Sequence, residues 1–123
     1  MGKDFKVKND TLIVCLSGEI DQYAVAALKE KIDIEIEITS KKNLIFDLRD
    51  VTLMDSSGIG LILGRYKLVK MYEGGVALCS ASPTVKKIID LSGITKIIPH
   101  YKNREEAESS FDKINNSERG ENK

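Results

Sequence analysis

Two hydroxyls and a carboxylate stand side by side in Asp55-Ser56-Ser57-Gly58-Ile59-Gly60, between an apolar run and a second, longer one. A strand that ends there and a helix that starts there would aim unpaired backbone N–H groups, and the positive end of the helix dipole, at those side chains. Gly58 and Gly60 carry no side chain, so a phosphoryl group or a partner's backbone could approach closely. One polar side chain is enough to cap a helix. Three crowd this start, and the surplus marks Ser56 and its neighbours as candidates for more than capping.

Rival chemistries find little support. His100 is the only histidine, which rules out a His-based triad or a multi-histidine metal site within one chain, and it reads as an exposed residue after the last strand. The serine motif is not Gly-x-Ser-x-Gly, so no nucleophile elbow is indicated. Gly58-Ile59-Gly60 lacks the third glycine of the dinucleotide fingerprint, and no Gly-Lys-Ser/Thr phosphate loop is present. An enzyme built on Ser56 and Asp55 would therefore lack both a general base and a phosphate cradle. No metal, cofactor or catalytic residue is expected.

The elements that must position Ser56 read as follows. Phe5 to Lys8 and Thr11 to Ser17 form a hairpin about Asn9-Asp10. Gly18 to Asp21 is a loop, with Asp21 as N-cap of a helix from Gln22 to Thr39. The alternation Ile32-Asp33-Ile34-Glu35-Ile36-Glu37-Ile38 would suit a strand, but Ala24, Leu28, Ile32 and Ile36 at i+4 spacing favour the helix. Asn43 to Leu48 is a third strand, and a helix follows from Ser57 to Tyr72, ended by Gly74-Gly75. In it, Arg65 and Tyr66 divide between core and surface. Val76 to Cys79 is a fourth strand. Ser82-Pro83 opens a helix that Gly93 closes, and Ile88 and Ile89 cannot both face inward from it. Lys96 to Ile98 is a last short strand before Pro99, and Asn103 caps a final helix through Phe111. Strands alternating with helices after a hairpin give an α/β fold, with a mixed, mainly parallel sheet, an antiparallel N-terminal edge and about four helices. The domain spans 1–114, with 115–123 a polar tail expected to be disordered.

Bulk composition sets the class. The chain has 123 residues, enough for one core, with nineteen basic and nineteen acidic residues and 41% hydrophobic content. A nucleic-acid binder needs a basic excess, which is missing. The apolar runs are too short to span a membrane, and the opening Met1-Gly2-Lys3-Asp4-Phe5-Lys6 has neither an apolar leader nor the Ser or Thr of a myristoylation motif. The expected location is cytoplasmic, and Cys15 and Cys79, each inside an apolar run, are expected as buried free thiols.

Four segments in order carry a family resemblance. These are Ser17-Gly18-Glu19-Ile20-Asp21, Asp55 to Lys67, Ser82-Pro83-Thr84-Val85-Lys86-Lys87, and Asp90 to Ile98. Together they resemble STAS-domain anti-sigma-factor antagonists, of the anti-sigma F (stage II sporulation protein AA) type, over residues 5 to 112. The resemblance implies the STAS fold and a switching cycle. The serine directly after the Asp, here Ser56, accepts a phosphoryl group from ATP held by an anti-sigma factor that is a serine kinase. The unphosphorylated antagonist binds that kinase and frees the sigma factor, and a PP2C-type serine phosphatase resets the phosphorylated form. Partner contacts are implied for Asp21, Asp55, Ser57, Gly58, Ile59, Gly60 and Ile88. Asp21 has two compatible readings, helix cap and neighbour of the acceptor serine. Ser57 is assigned to capping, and Ile59 is either an exposed anchor or core. Alone, the chain is expected to be a monomer.

Overall fold

The computed structural model describes the backbone of residues 4–121 and the side chains of 4–112. Its strands are β1 (Phe5–Lys8), β2 (Thr11–Ile20), β3 (Asn43–Met54), β4 (Val76–Cys79) and β5 (His100–Tyr101). Its helices are α1 (Gln22–Thr39), α2 (Ser56–Met71), α3 (Pro83–Ser92) and α4 (Arg104–Glu121). The strands lie in sequence order, β1-β2-β3-β4-β5, with β1 antiparallel to β2 and every other pair parallel. The expected mixed sheet with an antiparallel edge hairpin and four helices is therefore the fold observed. Asn9, at φ 54°, makes the hairpin turn.

Winding β2 to β5 in one direction with right-handed crossovers places α1, α2 and α3 on one face. Alternation along each strand then sorts the core. Leu12, Val14 and Leu16, Leu44, Phe46 and Leu48, and Val76 and Leu78 face those helices, meeting Ile32, Ile62 and Ile89. Ile13, Ile45, Ala77 and Cys79 face α4, meeting Ala107 and Phe111. Within α1 the i+4 spacing wins over the alternation: Ile32 is fully buried and Ile36 packs on the core, while Ile34 and Ile38 are exposed.

The α4 layer is anchored by charge. Arg104, its first residue, brings Nη2 to 2.7 Å and Nε to 3.1 Å from one oxygen of buried Asp47. The other Asp47 oxygen accepts the Arg49 amide at 3.1 Å. Cys15 and Cys79 flank Asp47 in the sheet and are both free. With the β3 strand between them they stand two strand spacings apart, about 10 Å, too far for a disulfide. Burial, reinforced by the Asp47 charge, pushes the Cys79 thiol up to about 12. Burial also raises Cys15, which is only half-buried, against the pull of Arg104.

Several boundaries differ from the sequence reading. β2 runs to Ile20 instead of stopping at Ser17, carried past irregularities after Cys15 and Gly18, where Gly18 adopts φ 74°. β3 runs to Met54 instead of Leu48 because it pairs with that extension as far as Ile20↔Met54. α2 starts at Ser56 and ends at Met71, and the left-handed residue after it is Glu73, not a glycine. Gly74 is needed for space, since a Cβ there would collide with the Lys42 carbonyl oxygen. The expected strand at Lys96–Ile98 is a 3-10 turn at Ile94–Lys96, and the last strand lies later, at His100–Tyr101. Ile94 and Ile98, four residues apart, are both buried while Ile97 is exposed, a helical spacing that propensity alone misreads. The backbone of 115–121, expected as tail, continues α4; its side chains, and residues 122 and 123, lie outside the described residues.

Candidate functional site

β2 and β3 outrun their neighbours: β4 pairs with β3 only from Leu44 to Asp47, whereas β2 and β3 stay paired to Ile20↔Met54. The result is a two-stranded ribbon that projects beyond the sheet edge. Ile20, Val51 and Met54 are buried on its helix-facing side. Each strand passes at once into an aspartate and a helix, so α1 and α2 begin side by side at the ribbon's end.

The two starts are built alike. Asp21, extended at φ −117°, accepts the Tyr23 and Ala24 amides at 3.0 and 3.1 Å. Asp55, extended at φ −104°, accepts the Ser57 and Gly58 amides at 2.8 and 3.3 Å. The Asp55 amide in turn reaches the Ile20 carbonyl at 3.3 Å, tying the two caps together. Adjacent parallel strands lie about 5 Å apart, so the resemblance-based placement of Asp21 beside the serine turn agrees with the geometry.

Ser56 is the first residue of α2 and is exposed. Ser57 is half-buried and donates its amide to Asp55, so the expectation that Ser57 caps the helix is corrected. Already inside the first turn, Ser57 stands past the cap position, whose backbone is extended and whose oxygen can reach the following amides. Gly58 is also reassigned. It is buried, and a Cβ there would meet Met54 Cγ at 2.6 Å and the Ile20 carbonyl oxygen at 2.9 Å. Its missing side chain therefore lets α2 close onto the ribbon and leaves no gap for a visitor. Gly60 is exposed, and a Cβ there meets nothing within 4 Å. Ile59 is half-buried and packed on the core edge, with part of its surface open. Ile88 is half-buried beside fully buried Ile89, and lies about 8 Å along α3 from its first residue, outside the paired caps.

The sequence reading missed two rim residues. Tyr23, in the first turn of α1, is 84% exposed, and Leu53, just before the α2 cap, is 47% exposed. Leu53 was detectable, because once Met54 points inward its strand neighbour must point out. The ribbon also carries exposed Arg49 and Asp50 together, opposite Ser17, and Glu19 nearer its end, so the end itself holds the carboxylates of Glu19, Asp21 and Asp55. Among the described residues no group of three or more His, Cys, Asp or Glu is placed to hold a metal ion. No helix of the described residues is long and apolar enough to cross a membrane.

Residues 3–107 match the STAS domain family. An anti-sigma F factor antagonist of Paenibacillus polymyxa is 40% identical over 92 residues, covering 75% of this chain and 79% of the relative. The anti-sigma factor antagonist SpoIIAA solved in its unphosphorylated form superimposes with a TM-score of 0.73 at 30% identity, covering 91% of this chain and 95% of that one. The Bacillus cell fate determinant SpoIIAA in the phosphorylated form gives 0.65 at 31% identity, covering 87% and 98%.

Proposed function

Because the chain belongs to the STAS-domain family, in its group of anti-sigma-factor antagonists, we propose that it is a regulatory switch whose Ser56 hydroxyl accepts a phosphoryl group. Unphosphorylated, it binds an anti-sigma factor that is itself a serine kinase, and so frees a sigma factor, of the F class that controls sporulation. Phosphorylated, it lets go. A PP2C-type phosphatase restores it with water, releasing inorganic phosphate. The chain works in the cytoplasm, as a monomer, and is a substrate in this cycle with no catalysis of its own.

The observation that carries this reading is the exposed Ser56 at the first position of α2, directly after Asp55 and on the ribbon end that also bears Asp21, both carboxylates being already engaged. In the transfer, Ser56 Oγ bonds to the γ-phosphorus of kinase-bound ATP while the bond from that phosphorus to the ADP oxygen breaks. The hydroxyl proton goes to a base on the kinase. Asp21 and Asp55 hold backbone amides, and His100, the one histidine, sits on β5.

A phosphoserine brings roughly −1.5 to −2 charges at neutral pH. The Ser57 and Gly58 amides at the helix start are taken by Asp55, so the new charge lies beside the carboxylates of the ribbon end and faces outward. A surface fitted to a neutral hydroxyl then meets both desolvation and like-charge cost, while the fold changes little. Titrating the ADP-bound kinase with wild type and with Ser56→Asp checks this. The variant is expected to bind roughly tenfold more weakly or worse; equal affinity contradicts the electrostatic account.

A further inference from the structure

His100 was expected to be an exposed residue after the last strand, but it lies within β5, half-buried and bonded. It pairs with Leu78 in the β4–β5 ladder, and its Nε2 accepts the Ala81 amide at 3.1 Å. An accepting Nε2 requires a neutral ring with its proton on Nδ1. Ala81 lies in the three-residue link between β4 and α3. Just before it Ser80 holds φ 62°, an unfavourable value for a residue with a side chain, and donates its amide to the Tyr101 carbonyl at 3.1 Å. Just after it Ser82 caps α3, accepting the Val85 amide at 3.2 Å. The link is thus fastened to β5 by two bonds, and only the one from His100 can be switched by a proton.

We infer that His100 is a pH-operated latch on the β4–α3 link: its neutral ring holds the Ala81 amide and the start of α3, and its protonated ring releases them. Protonation turns the acceptor into a second donor facing an N–H group, at the positive end of the α3 dipole. Two charged groups on α3 act electrostatically on the ring. Lys86 repels an imidazolium, and Asp90 attracts one but is held by Lys86 at 2.6 Å and by Thr95 at 3.0 Å. The β4 neighbours, Leu78 and Cys79, bring no charge to it. Burial first, and Lys86 second, lower the His100 pKa from its ordinary value, with Asp90 opposing. α3 packs against α2, which begins at Ser56, so acid would loosen the neighbour of the phosphorylation helix independently of any phosphate.

The single histidine makes the test direct, because the intact protein has one imidazole signal to follow by NMR from about pH 8 to pH 5. The ring is expected to titrate below 6.5, the Ala81 amide to shift with the same midpoint, and its hydrogen-exchange protection to fall roughly fivefold beyond the change in intrinsic rate. In His100→Gln the Ala81 shift should vanish. A ring midpoint at or above 6.5, or an Ala81 amide indifferent to it, overturns the inference from wild type alone, even if the variant does not fold.

Discussion

Asp55 and Asp21 each do at the residue scale what one carboxylate can do for a helix start, and that fixes what Ser56 is left to do. With the Ser57 and Gly58 amides already held, Ser56 contributes an exposed hydroxyl and little else. The glycines around it make a matched pair of expectations. Gly58→Ala forces a methyl group to within 2.6 Å of Met54 Cγ and 2.9 Å of the Ile20 carbonyl oxygen, so it should cost about 1–3 kcal/mol in a urea melt. Gly60→Ala meets open space, and a glycine inside a helix is about 0.5–1 kcal/mol worse than alanine, so that variant should be more stable by that amount. Equal effects of the two would refute the assignment of one glycine to packing and the other to the open surface.

The periodic elements were legible at the element scale, and the ribbon was not. α1 from Gln22 to Thr39 and β4 from Val76 to Cys79 follow directly from apolar spacing. The last three residues of β2 and half of β3 hide because Gly18, Glu19, Arg49 and Asp50 are exposed: with one face uncovered, these residues read as loop. The 3-10 turn at Ile94–Lys96 hides for the opposite reason, since Ile97-Ile98 has strand propensity while burial follows the helical pair Ile94 and Ile98. The Asp47–Arg104 pair was invisible, joining residues 57 positions apart. Removing Arg104 alone leaves the buried Asp47 carboxylate with only the Arg49 amide, so Arg104→Met should lower stability by about 1–3 kcal/mol, read from denaturant midpoints. Changing Asp47 to Leu in that background should recover much of the loss; no recovery would mean that Arg104 acts through packing instead.

At the scale of the whole molecule, topology places Ser56, the proposed acceptor. Sequential right-handed crossovers bring the starts of α1 and α2 to one sheet edge, and the paired ends of β2 and β3 set Asp21 against the Asp55-Ser56 turn. Sequence identified that turn, but local chemistry alone left it little better than a capping motif. The ordered segments around it carried the reading further, and the fold then supplied what spacing cannot, namely that Asp55 and not Ser57 caps the helix, and which glycine is buried. The central claim is that Ser56, and no other hydroxyl, receives the phosphate. Incubating the intact protein with its anti-sigma kinase and ATP, and mapping the product by mass spectrometry, tests it most directly. A single phosphate on Ser56, lost in Ser56→Ala and kept in Ser57→Ala, is the predicted result; an unmodified wild type, or phosphate that persists in Ser56→Ala, would contradict it.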